Sequence, residues 1–322
     1  MKLLFIFLDG VGLGDENPVT NPFVHTELPN LEKILGGHKI IADGHNSGTE
    51  PDYHLVKTEY ASLLALDACL GIKGIPQSAT GQASIMTGTN VSAKLGFHDG
   101  PKPTPLIIEL IHQGTLFTQL QHHGRAASLV NAFPPRYFES IDAGYRIPGV
   151  IALSANQAGL HLKTLADLIE GNAISADFTG EGWRGHLGYL NTPVLDHVQA
   201  GERLNSLANT SNLTIFEYWL TDVAGHHQDM ESACTILETL DAVIGSLLDN
   251  WDGENSLILL TSDHGNLEDL STRHHTLNDV PLLLIGSLEL RELFTLQLTA
   301  ARASKTKPDL TDIAPTIVNF IG

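Results

Sequence analysis

The sequence predicts an α/β protein built on a mainly parallel sheet, and three observations carry that prediction. Short, almost unbroken apolar runs stand at Lys2–Leu8, Leu213–Leu220, Ser256–Leu260 and Pro281–Ile285, the pattern of strands buried on both faces. Segments with a helical period lie among them. The clearest is Glu231–Asn250, where Ala233, Ile236, Leu237, Leu240, Val243, Ile244, Leu247 and Leu248 share one face. Several of the runs end in an acidic residue at the point where open α/β sheets hold their ligands.

Taken in order, Lys2–Leu8 follows a single lysine and ends in Asp9-Gly10. It is too short for a secretory apolar segment and lacks a small-residue cleavage site, so it reads as the first strand of a cytoplasmic protein. The turn Asp9-Gly-Val-Gly-Leu-Gly14 is not a dinucleotide fingerprint, because no G-x-G-x-x-G is present. Pro29–Leu35 predicts a short helix stopped by Gly36-Gly37, residues 43–54 a loop, and Ala61–Leu70 a helix. Pro76–Gly88 predicts a loop, then a hydroxyl residue, then a helix of small side chains. Ser78 or Thr80 at such a helix start serves either as a cap or as a nucleophile favoured by the positive end of the helix.

From Phe97 the texture changes. Gly100–Pro105 is a rigid connector, Leu106–Gln113 and Leu116–His123 predict helices, Ala126–Ala132 a strand, and Pro134-Pro135 a break. Gly144–Trp183 is mixed. Ala200–Asn209 predicts a helix, and so does the capped C-terminal segment beginning at Asp309. These features predict a core formed by 1–95 and 200–322, with 96–199 as a small inserted cap region that lends part of itself to the core.

The composition excludes some functions. An apolar fraction of 42% supplies ample material for a core. The net charge of −19, from 37 acidic against 18 basic residues, argues against nucleic acid or an anionic membrane as partner. An anionic substrate stays open, since bound divalent cations would reverse the local sign. Cys69 and Cys234 have no paired spacing and read as small buried side chains. No apolar run is long enough to span a membrane.

Three predicted strands end in potential metal ligands: Asp9, Asp222 with His226, and Asp263 with His264. His274-His275 precedes a fourth strand. Aspartate and histidine without thiolate suit Zn²⁺ or Mn²⁺ and are poor for calcium. Asp222 and His226 are one helical turn apart and could face one ion. Six ligands exceed one catalytic tetrahedral site but fit two ions, which together can clamp the attacking and leaving oxygens of a phosphoryl centre.

In this order the motifs Asp9-Gly-Val-Gly, Ser78-Ala-Thr-Gly-Gln, Asp222-Val-Ala-Gly-His226, Asp263-His-Gly-Asn-Leu-Glu268 and His275-Thr-Leu-Asn-Asp-Val-Pro281 resemble those of the alkaline phosphatase superfamily. Within it they are most similar to the branch of cofactor-independent phosphoglycerate mutase and phosphopentomutase. The resemblance covers about the first hundred and last hundred residues. It implies a three-layer sandwich and two divalent ions, Mn or Zn. One ion is assigned to Asp222, His226 and His275, the other to Asp9, Asp263, His264 and the nucleophile Ser78. By pattern Ser78, His226 and His275 are preferred over Thr80, His227 and His274.

The chain departs from the mutases between Gly88 and Asp222, where it is too short for their inserted domain. Their Asn-x-Arg-Pro-Asp-Arg signature is matched only by Asn131-Ala-Phe-Pro-Pro-Arg136, with Phe133 in place of one arginine. Arg136 is left as the candidate substrate contact. The expected function is therefore a metal-dependent phosphatase acting on a small phosphomonoester through a phosphoserine. A phosphomutase, a phosphodiesterase and a non-catalytic metal-binding protein are the alternatives.

Overall fold

A computed structural model describes residues 1–42, 53–300 and 307–322. Among these, β1 (Lys2–Leu8), β2 (His54–Lys57), β3 (Ala61–Leu66), β4 (Ala127–Leu129), β5 (Leu213–Tyr218), β6 (Ser256–Thr261) and β7 (Val280–Ile285) form one sheet. Its spatial order is β2-β3-β7-β6-β1-β5-β4. The ladders β1–β5, β1–β6 and β4–β5 are parallel, while β7 runs antiparallel to both its neighbours and β2 antiparallel to β3. Only β2 and β7 thus oppose the common direction, and the sheet is mainly parallel as predicted.

Alternation along β1 divides the interior into two layers. Leu3, Phe5 and Phe7 face one core, packed by the helices Ser78–Thr87, Pro105–Gln113, Leu116–His122, Val150–Gln157, Leu288–Ala300 and Ile313–Ile321. Leu4, Ile6 and Leu8 face the other, covered by Pro29–Ile34, His197–Ala208 and Met230–Asp249. Helices on both faces of the sheet make a three-layer sandwich, the arrangement a sheet apolar on both sides demands.

Some expectations are corrected. Ala61–Leu70 is no helix: Ala61–Leu66 is a strand in which all six residues are buried between β2 and β7. Burial on both faces removes the period-two signal, and a short apolar run then reads equally as helix. Pro134-Pro135 does not merely break the chain, since Pro135 opens the helix Pro135–Asp142, where its fixed φ suits the first helical position. The predicted loop at 43–54 lies mostly outside the described residues, and His54 already belongs to β2.

The segment 96–199 is shared. β4 is an edge strand of the main sheet, and helices within 105–157 bury Ile107, Phe117 and Val150 in the first core. Beyond them, Ala132, Leu168, Ala173 and Trp183 form a small separate apolar cluster. It joins the extension of β4 through the bridges Asn131–Ile174 and Ala132–Lys163. No helix among the described residues is long and apolar enough to cross a membrane.

Arg291 pins the β3 end of the sandwich. It is fully buried, and its guanidinium donates to Ser62 Oγ (2.7 Å) and to the carbonyls of Gly286 (2.9 Å), Thr58 (3.1 Å) and Glu59 (2.7 Å). Arg291→Ala leaves the buried Ser62 hydroxyl and three part-buried carbonyls without this donor and opens a cavity at a fully buried side chain, both of which are costly. Denaturant melts should show a loss on the order of 3 kcal/mol or more, with unchanged metal content in the protein that remains folded.

Candidate metal centre

The sheet's strand directions bring the candidate ligands to one edge. β1, β5 and β6 end there, delivering Asp9, the helix Leu220–His227 and Asp263-His264. β7 runs the other way and so begins there, which places His275 at the same edge. β3 also ends there, and the chain beyond it leads to the helix starting at Ser78.

Two groups of ligands result. Asp9, Asp263 and His264 converge within 4.8 Å of one another, as do Asp222, His226 and His275. In the first, His264 Nε2 lies 3.4 Å from Asp9 Oδ1, 3.6 Å from Asp263 Oδ2 and 3.0 Å from Ser78 Oγ. In the second, Asp222 Oδ2 is 3.3 Å from His226 Nε2 and Asp222 Oδ1 is 3.6 Å from His275 Nε2. The groups adjoin, because the His264 and His275 rings stack with centroids 3.7 Å apart. His226 Nδ1 contacts the Arg273 carbonyl (2.8 Å) and His275 Nδ1 that of Pro76 (2.9 Å). Donation from Nδ1–H leaves each Nε2 lone pair facing inward, the tautomer a metal ligand needs.

The residues fit divalent cations. Asp9 Oδ1 is buried without a hydrogen-bond partner. Burial raises the Asp9 carboxyl against the pull of His264, and it raises Asp263 further, the Asp9 charge adding to it. Burial alone would depress His264, but Asp263 and Asp9 hold its imidazolium up to about 10. His275 is pushed down to about 4, by burial and then by the His264 charge. Without cations the inner group therefore holds protons that a metal would displace, while His275 stands neutral and ready to bind.

Close backbone approach makes the cluster possible. Gly10 has φ of +68°, and a Cβ there would lie 2.6 Å from Asp222 Oδ1. A Cβ on Gly81 would lie 2.7 Å from the Asp263 carbonyl, so the Ser78 helix sits directly against the end of β6. Gln82, one turn after Ser78, donates to Asp9 Oδ2 and Asp263 Oδ2 at 3.2 Å each. Asn266 donates to Asp222 Oδ1 at 2.8 Å. The buried Glu268 accepts from the backbone of Gly12 (2.9 Å) and Asn266 (2.8 Å), from Asn278 (3.0 Å) and from the Thr276 hydroxyl, tying three ligand loops together.

All seven residues proposed from sequence as ligands or nucleophile are thus gathered. Thr80 is not: its hydroxyl faces the carbonyls of Gln77 and Asp99. His227 and His274 are exposed and belong to neither group. Arg136 is exposed on the Pro135–Asp142 helix, and no contact joins it to either group.

Sequence reasoning missed Glu217. It pairs in register with Phe7 near the end of β5, and Asn131 clamps its backbone N–H (2.7 Å) and carbonyl (2.8 Å). Burial, and then the charge of Asp9, push its carboxyl up to about 8. A lone carboxylate inside the apolar run of β5 was the available signal. Gln82, Asn266 and Glu268 were visible only as parts of motifs.

The Metalloenzyme superfamily model matches residues 1–322, and the chain belongs to that superfamily. Similar relatives are 2,3-bisphosphoglycerate-independent phosphoglycerate mutases. That of Desulforudis audaxviator is 30% identical over 117 residues, covering 34% of this chain and 21% of its own. That of Gloeobacter violaceus is 33% identical over 135 residues, covering 40% and 24%. The matches thus span about a quarter or less of these relatives' length. Among solved structures, the PH0037 protein from Pyrococcus horikoshii shares the fold, with a TM-score of 0.57, 17% identity and coverage of 99% of this chain and 96% of that one. The superfamily inferred from the motifs is borne out.

Two outcomes are expected. Glu268→Gln, which keeps the shape but weakens the charge-assisted bonds, should lower metal affinity about 10–100-fold in equilibrium dialysis. In chelator, folding stability should fall as pH rises from about 4.5 through about 8, because folded Glu217 keeps a proton that the unfolded chain releases. Glu217→Gln should flatten that part of the stability–pH curve measured by denaturant melts.

Proposed function

We propose that this protein is a two-metal phosphoryl-transfer enzyme, hydrolysing a small phosphomonoester through a phosphoserine at Ser78. One observation carries this reading: Ser78 Oγ sits at the start of a ten-residue helix and within 3.0 Å of His264 Nε2, beside the carboxylates of Asp9 and Asp263. Asp9, Asp263, His264 and Ser78 would hold one ion and Asp222, His226 and His275 the other, with Mn²⁺ or Zn²⁺ suited to the donor set. When bound, such ions supply positive charge for the phosphoryl oxygens and favour the ionised hydroxyl.

The chain's own residues supply positioning. The helix beginning at Ser78 directs its free N–H groups and positive end toward that point, favouring an alkoxide or a phosphoryl group. Gln82 fixes the inner carboxylates, and the carbonyls of Arg273 and Pro76 fix the outer imidazoles. Ser78 Oγ attacks phosphorus in line as the bond to the leaving alcohol breaks, and water then takes the phosphoryl group from serine. We assign the small lobe at 159–195 as the cap, with the rest of 96–199 belonging to the core.

The names of the relatives favour one second reading, a mutase in which a substrate hydroxyl replaces water. The metal-loaded protein should release inorganic phosphate steadily from a panel of phosphate esters with Mn²⁺ or Zn²⁺. Isomerisation without release supports the mutase instead. Ser78→Ala should lose on the order of 10³-fold or more in kcat/KM with its metals retained. Undiminished turnover in that variant would sink the phosphoserine route.

A further inference from the structure

The metal centre leaves open what grips the part of the substrate that is not transferred. The chain is poor in bases, and most arginines among the described residues are committed. Arg125 donates to the Gly322 carbonyl, Arg184 to that of Thr192, Arg203 to that of Ala173, and Arg291 is buried in its own network. Arg136, Arg146 and Arg273 make no side-chain hydrogen bond or ion pair among the described residues.

Of these three, Arg146 is held on a built platform. Its guanidinium carbon lies 4.9 Å from the centroid of the Tyr137 ring. Tyr137 is only 5% exposed, stacks on Phe133 at 4.5 Å and meets Phe138 edge-on at 5.5 Å. Phe133 in turn packs against the main core. Such a seat restrains the arginine while leaving its N–H donors free.

The platform stands past the end of β4, at the same sheet edge as the metal centre and with β5 between β4 and β1. It follows Asn131, whose carboxamide clamps Glu217 at the end of β5, next to the strand that ends in Asp9. The Tyr137 hydroxyl is buried without a partner. Its proton is held up to about 12, by burial and then by the Glu217 carboxylate, with Arg146 pulling the other way. The chain beyond β4 thus carries Tyr137 and Arg146 at the sheet edge where the parallel strands end and Asp9 lies.

We propose that Arg146 is the specificity-determining residue of this site: seated on Tyr137, it receives a second oxyanion carried by the phosphomonoester whose phosphoryl group meets Ser78. This rests on the phosphoryl-transfer reading. It displaces Arg136, ten residues earlier in the chain, which has no comparable support. A planar guanidinium with two free edges suits a carboxylate or a second phosphate bidentately, and the two share that chemistry.

The test uses the metal-loaded enzyme and four substrates: phosphoglycolate against ethyl phosphate, and 1,3-propanediol bisphosphate against propyl phosphate. Arg146→Gln should raise KM for the member of at least one pair that carries a second anionic group about 10–100-fold, with kcat and the partner lacking that group changed less than about twofold. The affected pair distinguishes carboxylate from phosphate. Arg146→Lys should recover part of the loss, since it keeps the charge without the fork. Equal losses on both members of each pair, no loss, or the same selective loss in Arg136→Gln instead would overturn the assignment. A holoenzyme that turns over none of the esters refutes the phosphoryl-transfer reading separately. Calorimetric binding of phosphoglycolate and the bisphosphate to that holoenzyme and to R146Q still decides the arginine: weaker binding of either in R146Q supports it, and equal binding of both overturns it.

Discussion

The structure depends on an electrostatic conflict at the end of the sheet. Asp9 and Asp263 follow β1 and β6, Asp222 comes on the helix after β5, and the three converge at one edge. Two carboxylates 4 Å apart repel by about 4 kcal/mol at an effective dielectric of 20, and burial adds the cost of desolvation. In the metal-free centre this conflict raises the Asp263 carboxyl well above its usual range and holds the His264 imidazolium up to about 10. Divalent cations relieve it, since they satisfy all the carboxylates at once. A fold that concentrates negative charge in this way is poorly matched to any purpose that does not involve a cation.

The surrounding chain is arranged to hold that conflict in place. β7 opposes its neighbours, so a residue preceding it reaches the edge where the parallel strands end, and His275 meets Asp222 through strand direction alone. Gly10 and Gly81 let backbones approach the ligands more closely than any side chain would allow. Glu268 then binds the loops after β1, after β6 and before β7 to one carboxylate. Because that carboxylate is spent on backbone and side-chain donors, it orients the ligands without joining either group itself.

The strands that end in ligands were legible in the sequence because a buried apolar run that stops at Asp or His is unusual, and the spacing of Asp222 and His226 anticipated the helix that carries them. β3 was misread because six residues buried on both faces leave no alternation. Glu217 was passed over since its place beside β1, where it pairs with Phe7, joins residues more than two hundred positions apart in the chain. Arg136 was favoured on a local echo of a motif, whereas Arg146 is distinguished only by a ring beneath it that becomes visible in three dimensions.

The two ligand groups are not equivalent, and the difference bears on how such a centre works. Asp263 and His264 are wholly buried, and Asp9 nearly so, while the His226 side chain is 44% exposed. Charge uncompensated in the inner group has no water to screen it, so an ion there is bound to the stability of the sheet edge as well as to chemistry. The outer group lies nearer solvent and can lose its ion at smaller cost to the fold. Ser78 stands with the inner group, where the field is least screened and a hydroxyl gains most from a neighbouring cation. On the phosphoryl-transfer reading the nucleophile is thus placed where the fold has least freedom to rearrange, and ion exchange is left to the side nearer solvent.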